Sequence, residues 1–161
     1  MRKLAAVLCV VVVAALVTFF ASPVASGSSP SQTGARNTTA VGSGTDWIPQ
    51  LGGSTFIVGG TVHSNLFGRG TFLGEGTQTG PTSFTVTTVT VYKGGTLTQQ
   101  GAGTDTGTNT STVQNTITSG TGEFAGATGS STVSSTTTQT LDPAIRTVRL
   151  VAHGTIMLAS G

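Results

Sequence analysis

The chain has 161 residues, 24 of them glycine, and only 7% carry charge. Seven Lys and Arg against five Asp and Glu make no basic stripe to follow a phosphate backbone, which excludes a nucleic-acid-binding protein. The single cysteine, Cys9, excludes the intrachain disulfides on which many small exported domains rely.

The amino terminus has the layout of an export signal. Arg2 and Lys3 form a charged start, and Leu4 to Ala21 is apolar except for Thr18. Val24 and Ser26 are small residues placed for a cut before Gly27. Residues 1–26 are therefore expected to be a signal peptide, and the product to be secreted with no membrane attachment. The alternative is an uncleaved anchor, since the apolar run has about the minimum length of a span. Cys9 is preceded by Leu8 where a lipid-attachment site has a small residue. Without Arg2 and Lys3, five basic residues face five acidic ones, a net charge near zero.

Residues 27–46 are Ser, Gly, Thr and Asn with few large apolar side chains. Such a segment buries too little surface to offset its ordering entropy and is expected to be a flexible tail. Asn37-Thr38-Thr39 and Asn109-Thr110-Ser111 match the glycosylation acceptor pattern, which a Thr-rich chain reaches by chance. Residues 47–161 are expected to form one domain, opening with Trp47, Ile48 and Leu51.

Period-two runs follow at short intervals. Thr55 to His63 places Phe56, Val58 and Val62 on one face. Gly70 to Gly76 places Phe72 and Leu73 on opposite faces. In Phe84 to Lys93, Phe84 and Val86 lie in one phase and Val89 and Val91 in the other. That phase change predicts a bulge near Thr87-Thr88. Thr96 to Gly101 is a weaker run. Thr110 to Thr118 sets Val113 and Ile117 on one side, and Ala127 to Thr137 is Ser and Thr around Val133. Val148, Leu150, Ala152, Ile156 and Leu158 share a phase in the last run. Gly80-Pro81, Gly94-Gly95, Thr106-Gly107 and Asp142-Pro143 are turn signals between runs. Seven or eight strands with hairpin connections imply an antiparallel meander, and closing it into a barrel removes its exposed edges. The fold class expected is all-β, a closed antiparallel β-barrel of about eight strands behind the signal peptide and tail.

No chemical motif stands out. The glycine strings have a Gly-x-Gly-x-x-x-Gly spacing rather than a nucleotide fingerprint, and no helical pattern follows them. His63 and His153 are the only imidazoles. Both lie out of phase with the apolar sets, so surface placement is expected and no metal site is assigned. No serine sits in a nucleophile elbow. No catalytic residue is assigned and no cofactor is expected. Glu75, Tyr92 and Glu123 are the candidate lumen polar residues. The two carboxylates are capable of acid–base work only if the fold unites them.

Ile117-Thr118-Ser119-Gly120-Thr121-Gly122-Glu123-Phe124-Ala125-Gly126-Ala127-Thr128-Gly129 resembles the signature of the allene oxide cyclase and dirigent barrels. In that group a strand ends in Gly-Gly-Ser/Thr-Gly-x-Phe-x-Gly-Ala-x-Gly and leads into the next strand; here Ser119 replaces the first glycine. The resemblance implies an eight-stranded barrel with an apolar lumen, often dimeric or trimeric, whose enzymatic members steer a reactive intermediate without a cofactor. It carries over Gly120, Gly122, Phe124, Gly126, Ala127 and Gly129 in a structural role. The plant segments that bear acids, arginines and tyrosines have no counterpart here.

Two functional expectations follow. The first is a secreted, cofactor-free barrel that binds a small apolar ligand or serves as a surface or interaction module, without catalysis. The alternative is an allene oxide cyclase-like isomerase or a dirigent-like protein, which needs Glu75 or Glu123 in the lumen. A homo-oligomer, dimer or trimer, is the expected assembly, with Trp47, Ile57 and Phe72 as its contact patch.

Overall fold

The computed structural model describes residues 34–48 and 53–159. The expected signal peptide, the first residues of the expected tail and Leu51 lie outside the described residues. Eight strands follow one another: β1 (Arg36–Trp47), β2 (Thr55–Ser64), β3 (Gly68–Gln78), β4 (Ser83–Tyr92), β5 (Gly95–Gly107), β6 (Thr110–Gly120), β7 (Thr128–Gln139) and β8 (Ile145–Met157). Each strand pairs antiparallel with its neighbour in the chain, and β1 pairs with β8, so the sheet is a closed barrel without a free edge. One 3-10 turn, Gly122–Phe124, interrupts the strands between β6 and β7.

Two-residue alternation decides what faces inward. Phe72 is 8% exposed while its neighbour Leu73 is 62% exposed. Val62, Val113, Ile117, Val148 and Ile156 are buried. His63 and His153 face out, and the His153 ring lies 3.4 Å from the Thr39 hydroxyl.

Three expectations need correction. The tail expected over 27–46 contains β1, which pairs residue by residue with β8 from Arg36 to Trp47 and with β2 from Ala40 to Trp47. This strand has little apolar surface of its own because its inward positions include Ala40, Gly42 and Gly44. Two backbone ladders hold it, and its small residues let β2 come close: a side chain on Gly44 would run into the Gly59 carbonyl. The bulge expected near Thr87-Thr88 is absent. The strand β4 keeps unbroken register with β3 and with β5, so Thr88 and Thr90 turn inward while Val89 and Val91 stay outside. Val89 there sits opposite the exposed Leu73 on β3, a cross-strand apolar pair on the outer face. The register shifts occur instead between β5 and β6, at Thr98/Gln99 and Asp105/Gly107. Phe72 belongs to the interior, so it drops out of the expected contact patch. Trp47 remains exposed on the outer face, opposite Ile57.

The two ends of the barrel differ. At one end Leu97, Ile117, Phe124, Ala127 and Ile156 form a core, with Leu66, Phe67, Tyr92 and Leu158 packed against it. Phe124 is its centre at 1% exposure, with the Phe67 ring 4.9 Å and the Tyr92 ring 5.7 Å away. The chain enters and leaves this plug through Gly122 and Gly126, at φ of 60° and 71°, a conformation that disfavours any other L-residue. Glu123 N–H donates to the Gly94 carbonyl (2.8 Å) and Thr121 N–H to the Thr96 carbonyl (2.9 Å), tying the plug to β5 and its turn. A second core of Phe84, Val86 and Val113, flanked by Phe56 and Val133, lies further along the barrel.

Candidate functional site

The interior is not filled. A cavity of about 270 Å³ occupies the lumen. It extends from Tyr92, beside the plug, to Thr108 and Asn109 in the β5–β6 turn at the opposite end. The space follows from the sequence: many inward positions carry glycine, alanine, serine or threonine. Two of the glycines seat rings. A side chain on Gly76 would overlap the Phe56 ring, and one on Gly103 the Phe84 ring. Those two rings meet edge to face with centroids 5.5 Å apart.

The lining is mixed. Strands β2, β3 and β8 present Phe56, Val58, Val62, Phe72, Val148 and Leu150. Strands β5, β6 and β7 are more polar, presenting Gln99, Ser111, Asn115, Ser131, Ser135 and Thr137 beside Val113 and Val133. Part of the polar wall is satisfied within itself: the Ser111 and Ser135 hydroxyls are 2.7 Å apart, and the Gln99 amide donates to the Ser131 hydroxyl at 3.3 Å. The lumen, which the resemblance implies to be apolar, is therefore apolar only in part.

An ion pair stands on the lining where none was foreseen. Asp46 on β1 and Arg146 on β8 are register partners, and the guanidinium donates to the carboxylate oxygen Oδ2. Asp46 is 5% exposed. Burial raises its carboxyl above the ordinary range, against the lowering effect of the Arg146 charge and hydrogen bond. The other carboxylate oxygen, Asp46 Oδ1, is buried without a hydrogen-bond partner among the described residues, as are Arg146 Nε and Asn115 Oδ1. Buried polar atoms are nearly always partnered, and each orphan costs about 1–3 kcal/mol. All three belong to residues that line the cavity.

The candidate residues are dispersed. Tyr92 lines the lumen, half-buried against Phe67 and Phe124, and burial raises its phenol above the usual value. Glu75 does not enter the lumen. It is exposed on the outer face of β3, beside Thr77, Thr85 and Thr87, because it falls in the opposite phase to Phe72. Glu123 is also exposed, on the plug's solvent side against Gly94. The fold thus unites neither carboxylate with the lumen, and both placements correct the expectation. Among the described residues no group of three or more His, Cys, Asp or Glu side chains is arranged to hold a metal ion.

Two of the missed residues were readable. Arg146 is two positions before Val148, and Asn115 lies between Val113 and Ile117, so period two places both inward. Asp46 was hidden by assignment of its segment to the tail.

Comparisons with protein-family models, with curated proteins and with solved structures find no match. A closed eight-stranded barrel occurs in unrelated proteins and does not by itself name a superfamily.

Proposed function

We propose that the protein is a secreted, non-catalytic β-barrel that holds one small molecule with an apolar body in its lumen. The lumen cavity of about 270 Å³ carries this reading, with Phe56, Phe72 and Phe84 on its lining. The volume is close to the lower end of the range for small-molecule sites, about 300–1,000 Å³. Membership of the allene oxide cyclase and dirigent superfamily is proposed on the Gly120–Gly129 segment and agrees with the barrel architecture. Secretion is proposed on the pattern of residues 1–26.

A cyclase or isomerase reading has less support, since it needs Glu75 or Glu123 beside the bound molecule and both are exposed outside the lumen. An interaction role has one favouring observation. Leu73 on β3 and Val89 and Val91 on the adjacent β4 are large exposed apolar residues, with the exposed Trp47 on β1 beyond β2, which suits the proposed dimer or trimer. Native mass spectrometry tests the ligand reading: the protein is stripped in denaturant, refolded and exposed to extracts of small apolar metabolites. Retention of one low-mass ligand per barrel is expected. A barrel that refolds and retains nothing overturns the reading.

A further inference from the structure

We infer that the lumen selects a neutral ligand whose apolar body carries a head that both donates and accepts hydrogen bonds, with an amide as its simplest form. This rests on the lumen-binding reading and adds to it the chemistry of the head. Asp46 and Arg146 are joined by a single hydrogen bond, through Oδ2. Among the described residues the pair leaves one buried acceptor, Oδ1, and one buried donor, Nε, without a partner. Asn115, on β6 in the lining of the same cavity, adds a second buried acceptor without a partner among the described residues, Oδ1. A neutral amide matches this set with its N–H as donor and its carbonyl as acceptor. A charged head does not. The pair is already neutral, so an anion must compete with Asp46 for Arg146 and a cation must compete with Arg146 for Asp46. The first outcome leaves the buried Asp46 carboxylate uncompensated, and the second breaks the hydrogen bond of the pair and turns Arg146, 33% exposed, toward solvent. The body of the ligand meets the apolar lining beside the pair, where Val58, the register partner of Asp46, lies with Phe56 and Phe84.

Size fixes a practical probe. A cavity of about 150 Å³ admits benzene, so the lumen at about 270 Å³ has room for a monosubstituted ring. Four probes share that body: toluene, benzamide, benzoate and benzylammonium. Calorimetry on the purified protein gives their affinities, and chemical-shift changes at Val62, Val113 and Val148 report occupancy of the lumen. Benzamide is expected to bind about tenfold or more tightly than toluene, as two hydrogen bonds to a charged pair allow. Benzoate and benzylammonium are expected to bind more weakly than benzamide. In the double variant Asp46→Leu/Arg146→Met the benzamide preference is expected to vanish while toluene binding persists. Replacing both partners of a buried pair with apolar residues is often tolerated, so this variant is expected to fold. Equal affinity for toluene and benzamide overturns the inference and leaves lumen binding intact. So does a charged probe binding tightest, or a preference that survives the double variant. Absence of lumen binding by all four probes overturns the ligand reading itself.

Discussion

At the scale of single residues, Tyr92 and Asp46 report the interior by their titration. Tyr92 is the only tyrosine in the chain, so the near-ultraviolet absorbance of phenolate follows it alone. Burial raises its phenol, and the titration midpoint is expected above the ordinary value of about 10. A midpoint at or below that value would place Tyr92 in water. For Asp46 the same direction holds, with burial as the larger cause. A native carboxyl with a raised pKa keeps its proton where the unfolded chain has released it. The stability it contributes is present below the ordinary carboxyl value of about 3.9 and is lost as pH rises through the raised value. Urea melts across that acid window should show the wild type losing stability with rising pH relative to Asp46→Asn. A parallel pair of profiles would contradict the raised value. Arg146→Met leaves the Asp46 charge without its partner and is expected to cost about 1–3 kcal/mol. The double apolar replacement should recover most of that loss.

At the scale of elements, the plug and the first strand carry the architecture in different ways. Phe124 closes one end through ring contacts with Phe67 and Tyr92. Phe124→Ala is expected to destabilise the barrel by about 3–5 kcal/mol, as a large buried ring replaced by methyl does. Denaturant melts check the size, and loss of Tyr92 burial by its absorbance titration checks the place. Strand β1 has no comparable anchor and depends on backbone proximity. A side chain at Gly44 would meet the Gly59 carbonyl and the Gly60 backbone. Gly44→Val is therefore expected to cost at least about 1–3 kcal/mol, the usual range for overpacking. Hydrogen exchange should show the loss of protection concentrated at the β1–β2 seam. Uniform exchange in that variant would mean that the seam yields without opening.

At the scale of the whole molecule, closure matters more than the size of either core. All eight strands are paired on both sides, so backbone hydrogen bonds are satisfied around the full circumference without large side chains on every strand. This is how a chain so rich in glycine and threonine leaves space at its centre and remains folded. The same closure separates the two carboxylates from the lumen. Glu75 is on the outer surface because its strand alternates without interruption, and Glu123 is outside because the plug turns its Phe124 inward. Ionisable chemistry at the lumen is thus confined, among the described residues, to Asp46, Arg146, Tyr92 and Asp105 near the β5–β6 turn.

Local alternation was enough to derive an all-β meander, the inward set Phe56, Val58, Val62, Val113 and Val148, and the outward histidines, because a side chain's face depends on its own phase within a strand. The sequence also marked the bend around Phe124, since tight turns demand glycine wherever the rest of the chain lies. Closure decided what phase alone left open. Arg36–Trp47 is a strand because β2 and β8 supply both of its hydrogen-bond ladders, which no property of its own small side chains announces. Continuous pairing on both sides of β4 kept Val89 and Val91 outside, where local hydrophobicity had called for a bulge. The Asp46–Arg146 pair exists only because the first and last strands meet, and that meeting joins residues a hundred positions apart.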